Sequence, residues 1–386
     1  MADPTVDLPG AVTPPGAPLD HGMNAEAQGV SLSYWQLVRR RFRRNGWGMA
    51  GLIASAFIVF VAVFAGFIAP YAPDTKDRGA IYQPPQTVRV WDEDGGLRAP
   101  FVLGFEEVMD ATTFEITFQP SFEAAVPLTL FVEGPEYRFL GMTFDTHLFG
   151  GADGEFVHLL GTDALGRDVF SRMIYGARIT LLMGFLVMSV ACVIGTLVGV
   201  TSGYFGGRTD TVIQRVIEFV KSFPDLPLYL ALVAVLPRNA NPVTIFILFA
   251  GVIVLLQWAN LARELRGKVI AIRSVEFVRA AVAVGATDRR IILRHIIPNM
   301  VSHVIVWATY VLPEVILLES FLSFLGVGIQ QPLVSWGLML NAVRDFQSLA
   351  SAPWLLSPVA MIVLSVLAFN ALGDGLRDAM DPYANG

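Results

Sequence analysis

The chain has 386 residues, of which 54% are hydrophobic and 16% charged, with a mean hydropathy of +0.56. Soluble domains carry roughly 25% charged residues, so this balance excludes an ordinary water-soluble enzyme or binding module and makes the bilayer the solvent for much of the length. The net charge of −6 conceals two signs that separate along the chain, and the single Cys192 excludes an intrachain disulfide or a thiolate metal site.

Residues 1–30 are rich in Pro, Gly, Ala and Asp without apolar periodicity, which predicts a disordered tail rather than a cleaved signal. The stretch SLSYWQLVRRRFRRN then places Arg39, Arg40, Arg41, Arg43 and Arg44 among Tyr34, Trp35 and Phe42, directly before a long uncharged run. A basic aromatic cluster beside a span is an interfacial anchor, and residues 31–73 read as that anchor plus the first transmembrane helix. A nucleic-acid patch is the weaker alternative for the Arg run.

Six transmembrane helices are expected, near 47–69, 178–202, 213–236, 243–261, 299–325 and 353–373. The third rests on the 12-residue run LPLYLALVAVLP extended backwards through VIEFVKSFPD, with Pro224 and Pro227 bending it near the membrane surface. The expected fold class is thus an all-α polytopic membrane protein with one insertion. Residues 74–160 are too long for a structureless loop. Alternation in TFEITF (113–118) and LTLFV (128–132), with a turn signal at Asp94 and Gly95, predicts a small β-rich domain.

Loop charge orients these spans. Residues 74–160 hold 15 acidic and 5 basic residues, whereas 263–295 hold 8 basic and 3 acidic. The positive-inside rule therefore predicts an external insertion and cytoplasmic N- and C-termini in a multi-pass plasma membrane protein.

The segment FVRAAVAVGATDRRIILRHIIPN, residues 277–299, is written like a soluble surface between two apolar runs. Ser274 is a candidate cap for a short helix with Glu276 in its first turn and Val275, Val278, Ala281 and Val282 near one face. Gly285 ends that helix, Thr287 or Asp288 starts another, and Pro298 opens the next span. Small Ala280, Ala281 and Ala283 permit close approach of a partner. An interfacial connector holding Arg at the headgroups has the same spacing.

Arg279-Ala280-Ala281 followed by Gly285 and by the HIIP turn at Pro298 resembles the EAA loop of bacterial ABC importer permeases. The stretches HLLGTDALGRDVFSRMIYGARITLL, GYFGGRTD, Phe223-Pro224, LESFLSFLGVGIQQPLVSWG and ALGDGLRDAMDP, in that order, resemble the C-type permease of dipeptide and oligopeptide importers. The resemblance implies a type I ABC importer (MetI-like) five-helix permease core over 161–380, preceded by one additional helix, in a bacterial inner membrane. It implies partners: a second permease subunit, two cytoplasmic ATPase subunits that use ATP and Mg, and an extracytoplasmic substrate-binding protein. It also implies that Glu276, Arg279, Ala280, Ala281, Gly285, Arg289 and Pro298 belong to the ATPase-coupling segment at 274–298. Arg279 stands where that pattern has Glu, and His295 and Ile297 where it has Ile and Leu, so an acidic role at 279 does not carry over.

Gly195, Gly199 and Gly203 repeat every four residues, as close helix packing requires. Glu314 and Glu319 lie within apolar sequence, where ionisable groups are costly and commonly functional; with Gln257 and Asn260 they are the candidates for the passage. No Walker loop is present, since Gly267-Lys268 is followed by Val, and neither a nucleophile elbow nor HExxH occurs. The five His, at 21, 147, 158, 295 and 303, have no metal-ligand spacing. No cofactor is therefore expected in this chain. The substrate stays open between peptides, metal chelates and other solutes, and a secondary transporter, which needs ion-coupling acids at mid-membrane, is the alternative class.

Overall fold

Run length and composition determine the helical frame. A computed structural model describes residues 33–93, 95–109, 116–237, 239–344 and 346–381. The expected tail and Asp94 lie outside these, as does the first half of TFEITF. Among the described residues five helical stretches are long and apolar enough to cross a membrane: Gly46–Val63, Val169–Phe205, Pro242–Ile272, Asp288–Phe324 and Pro353–Met380.

Helix α1 (Tyr34–Arg44) is the basic amphipathic element, opened by a capping box between Ser33 and Gln36. Asn45 ends it and caps α2 (Gly46–Val63) by accepting from the Gly48 N–H at 2.9 Å. A short α3 (Ala65–Ile68) follows. Helix α4 (Val169–Phe205) has 37 residues, about 55 Å of helix. Then come α5 (Gly207–Lys221), α6 (Asp225–Ala234) and α7 (Pro242–Ile272).

The third expected span, 213–236, is not one bent helix. Pro224 has no N–H to give and disfavours helical geometry at Phe223, so α5 stops at Lys221 and α6 restarts with Asp225 in its first turn. Ten residues of α6 reach only about 15 Å, short of a bilayer core. The six-helix expectation thus becomes five full-length spans and one short apolar helix.

The chain continues through α8 (Glu276–Ala283), α9 (Asp288–Ile291), a π turn (Ile292–Ile296) and α10 (Ile297–Phe324). The short helices α11 (Trp336–Leu340) and α12 (Phe346–Ser351) precede the terminal α13 (Ser357–Met380).

Glycine spacing sets how these helices meet. A Cβ on Gly199 would come within 2.5 Å of the Ala262 carbonyl oxygen, and on Gly195 or Gly203 within 3 Å of α7 atoms, so α4 and α7 pack backbone to backbone. Gly48 and Gly375 bring α2 and α13 equally close. The core between them is aliphatic and aromatic, with Trp336, Phe249, Ile253, Leu261 and Ile316 fully buried.

The insertion is a four-stranded antiparallel sheet in the order β1 (Val88–Trp91), β2 (Leu97–Met109), β3 (Ile116–Phe139), β4 (Met142–Gly151). It grips the end of α3 through His147, whose Nδ1 lies 2.6 Å from the Ala69 carbonyl oxygen. The acidic insertion therefore sits at the start of α4, and the basic segment 263–294 gathers at its far end.

Candidate functional site

An open groove of about 1030 Å³ runs along α7, α10 and the end of α13. Its wall is more polar than the sequence suggested. His303 Nε2 lies 2.9 Å from Glu264 Oε2, and the Tyr310 hydroxyl donates to Asp374 at 2.5 Å. Asn260, Lys268, Asn299 and Arg377 also line it. Glu264, His303 and Arg377 were missed although each is ionisable beside apolar sequence, the signal that singled out Glu314.

The four candidates for the passage separate into two pairs. Asn260 and Glu314 line the groove and are exposed. Glu314 stands mid-helix on α10, and Leu317 and Phe321 extend the same exposed face. Gln257, less than a turn from Asn260, is buried within α7, and Glu319 is fully buried. The Glu319 carboxylate accepts from Ser323 Oγ at 2.8 Å and Thr180 Oγ1 at 3.4 Å. Thr180 Oγ1 in turn accepts from the Trp336 N–H, whose ring donates to the Met173 carbonyl at 2.9 Å. Glu319 thus fastens α10 to α4 and α11 and lies off the groove.

At the far end, α8 closes in a Schellman motif: Gly285 N–H donates to Val282 O at 2.9 Å and Ala286 N–H to Ala281 O at 3.0 Å, with Gly285 at φ +78°. The backbone requirement at Gly285 holds. Among the described residues nothing lies within 4 Å of where a Cβ would stand there. Ser274 does not cap α8; its hydroxyl donates back to Ala271 O at 3.0 Å, and Val275 occupies the cap position.

Val278, Ile291 and Ile296 are buried, and Ala281 packs with them against Leu265 and Val269. Ala281 therefore faces its own chain. The outward face of α8 is Glu276, Phe277, Arg279, Ala280 and Ala283, continued by Val284, which is 87% exposed. Arg289 and Pro298 are exposed further along. The turn before Pro298 widens to a π turn, and Asn299 Nδ2 donates to the His295 carbonyl oxygen at 2.6 Å. Asp288 accepts from the Tyr204 hydroxyl at 2.7 Å. Arg266 grips Asp210 with Nε at 2.5 Å and Nη2 at 2.7 Å; that guanidinium holds the Asp210 carboxyl down at about 2. These contacts fix α5 and α9 to the ends of α4 and α7.

The HLLGTDALGRD loop builds a different polar cluster. Asp163 accepts from the Leu165 and Arg167 N–H groups and pairs with Arg167 Nη2 at 2.7 Å and Arg172 Nε at 3.5 Å. His158 is buried between Asp168 Oδ1 at 3.1 Å and Asp77 Oδ2 at 3.4 Å. Burial alone would lower its pKa, but the two carboxylates raise it above the ordinary value, and the bond from His158 lowers that of Asp77. Trp354 closes the loop by donating to Thr162 O at 2.9 Å.

Similarity to known proteins agrees with this architecture. Residues 195–385 match the family described as binding-protein-dependent transport system inner membrane component, and 33–85 match the N-terminal TM domain of oligopeptide transport permease C. The oligopeptide transport system permease protein OppC of Haemophilus influenzae is 43% identical over 358 residues, covering 92% of this chain and 91% of that one. The dipeptide transport system permease protein DppC of Bacillus subtilis is 32% identical over 369 residues, covering 94% and 91%. Among solved structures, the methionine ABC transporter MetNI in inward-facing conformations matches at TM-score 0.42 and 17% identity, over 54% of this chain and 97% of that one. The family match and the two permease relatives define a membrane permease of the ABC importer class. The chain belongs to the family of binding-protein-dependent transport system inner membrane components, with the peptide-transporter permeases as relatives across nearly its whole length.

Proposed function

We propose that this chain forms half of a peptide-conducting passage in an ATP-driven importer, the other half being a second permease subunit. The observation that carries the reading is Glu314, an exposed carboxylate in the middle of a membrane-spanning helix on the wall of the groove. Turning such a group towards acyl chains costs about 3 kcal/mol or more, so this face meets water or a partner. The donors and acceptors along the groove suit a peptide backbone, the substrate class named for both relatives above.

A binding protein delivers the substrate, and two ATPase subunits holding ATP and Mg drive the cycle. This chain is a non-catalytic subunit. The ATPases dock on the outward face of α8. Their motion reaches the groove because α9, the π turn and α10 form one continuous stretch, Asp288–Phe324, whose far part is the groove wall. The passage is thus a two-state element biased by a partner. The N-terminus, the C-terminus and α8 are cytoplasmic, and the β insertion lies outside.

Two measurements test this reading. In proteoliposomes holding the whole importer, Phe277→Asp is expected to abolish ATPase co-purification and peptide uptake, and Glu314→Leu to impair uptake while the ATPases stay bound. Normal uptake by both variants would remove the groove and coupling assignment. In a Cys192→Ser background, a cysteine at Thr117 reacts with an impermeant maleimide on intact cells and one at Thr287 does not; the reverse would invert the topology.

A further inference from the structure

Besides the Asp77 and His158 contacts at the start of α4, the insertion meets α3 through the β3–β4 hairpin, and the chemistry of that hairpin is unusual. Strands β3 and β4 are closed by the two residues Leu140 and Gly141, with Phe139 paired to Met142. Both turn residues have positive φ, +51° and +87°, a geometry that favours Asn-Gly. Leu140 is nevertheless there, 85% exposed, beside Met142 at 60%. A branched apolar residue in a strained and solvated position gains nothing from water.

The surroundings supply a second observation. On α2 the residues Ile53, Phe57 and Phe60 form an exposed row at helical spacing, the face a spanning helix turns to lipid. That row continues into the hairpin: Phe60 stacks near Phe64 with ring centroids 4.6 Å apart, and Phe64 near Phe139 at 5.2 Å. Between α2 and the hairpin lies a cavity of about 450 Å³, lined almost wholly by apolar atoms of Phe60, Phe64, Tyr137, Phe139 and Phe144, with Arg178 on its rim. Arg178 donates from Nε and Nη2 to the carbonyls of Ala62 and Val63, the end of α2, and has no carboxylate partner among the described residues.

We infer that the β3–β4 hairpin dips into the leaflet on its side of the membrane and that its cavity with α2 holds one acyl chain of a phospholipid, whose phosphate pairs with Arg178. Continuity with the lipid-facing row of α2 selects the acyl chain. An unneutralised guanidinium level with the end of a span selects the phosphate. The insertion is thereby held at the membrane surface.

The test uses the assembled importer in vesicles of phosphatidylethanolamine and phosphatidylglycerol, with Cys192→Ser and an environment-sensitive fluorophore on a cysteine at Met142 or, as control, at Gly95. Lipid carrying a nitroxide near its headgroup is expected to quench Met142 strongly and Gly95 weakly, and aqueous iodide to do the reverse. Leu140→Asn, which suits the turn and keeps the fold, should reduce the lipid quenching at Met142. For the cavity, native mass spectrometry of the detergent-purified full chain should find one retained phosphatidylglycerol but no diacylglycerol. Retention should fall about tenfold in Arg178→Gln, the scale of one charge-assisted hydrogen bond, and also in Thr146→Trp, which fills the cavity. Equal quenching at the two sites would overturn the inference. So would burial of Met142 from both quenchers in the assembled importer, which would mean a protein partner covers the hairpin.

Discussion

The two ends of the bundle handle polar groups in opposite ways. Around the start of α4, Asp163, Arg167, Arg172, His158, Asp168 and Asp77 satisfy one another within this chain and are mostly buried. Towards the far end, Asn260, Glu314 and the outward side of α8 face open space. One end is finished by its own sequence, while the other presents groups that only a partner or a solute can complete. On the proposed function this asymmetry is mechanical: the collar fixes α4, and the free surfaces are those assigned there to the ATPase contact and the passage.

The comparison breaks first if the collar is not rigid. Asp163→Ala leaves Arg172 buried without a carboxylate and should cost about 3–5 kcal/mol, seen as a lowered unfolding midpoint in detergent and poor membrane yield. Glu314→Gln, on the open side, should leave that midpoint unchanged. Gly199→Val comes next: with the Ala262 carbonyl 2.5 Å from a Cβ, α4 and α7 must part, at about 1–3 kcal/mol. Glu319→Ala should cost a similar 1–3 kcal/mol, because Ser323 and Thr180 lose their acceptor. If Glu319→Ala instead lowered uptake with the unfolding midpoint intact, the residue would belong with Glu314 in the passage.

How much of this was legible depended on the kind of signal. Spans of apolar sequence located α2, α4, α7, α10 and α13, and the spacing of Gly195, Gly199 and Gly203 marked a face of close helix packing, whose partner is α7 in the fold. Run length alone could not show that Pro224 would split the third span: its second half, α6, is apolar, its first half, α5, is an amphipathic helix carrying Arg215, Glu218 and Lys221, and the break is set by one missing N–H and a restricted Phe223. Direction was the second blind spot. Glu314 and Glu319 lie five residues apart on α10, about 140° around the helix, so one composition argument made both candidates for the passage although only Glu314 faces the groove and Glu319 lies in the core. Ala281 and Ala280 differ likewise: adjacent in sequence, one packs against Leu265 and Val269 and the other faces out. The polar collar was visible as a motif, yet its pairing of Asp77 with His158, 81 residues away, is tertiary.

A smaller effect of the collar should appear as pH dependence. His158 has a folded pKa above its ordinary 6.5, so its stabilisation is complete below about 6.5 and is lost as pH rises through the folded value. Asp77 has a folded pKa below 3.8, so its contribution is present above 3.8 and lost as pH falls through the folded value. Together they place the strongest collar between these limits. Unfolding midpoints measured on the alkaline side of 6.5 should decline with pH in the native chain and decline less in His158→Gln. An unchanged slope would mean that His158 is not charged in the fold.

A small stability effect is likewise expected at Arg279, and it sharpens the comparison from the open side. Arg279 lies on the outward face of α8, exposed, with no ion pair among the described residues. Arg279→Ala should therefore move the unfolding midpoint of the isolated chain by less than about 0.5 kcal/mol equivalent. Its role, if α8 is the docking surface, is electrostatic and shared with a partner: a rim charge alters association rate and salt dependence more than final affinity. Binding of the ATPase subunits to detergent-purified permease, followed against salt concentration, should lose part of its salt dependence in Arg279→Ala, and Arg279→Glu should shift the dependence further in the same direction. The same substitutions at Arg167, inside the collar, should instead depress the unfolding midpoint, because there the charge has its partner already. If Arg279→Ala destabilised the isolated chain as Arg167→Ala does, the basic end would be closed upon itself, and the asymmetry between the two ends would fail.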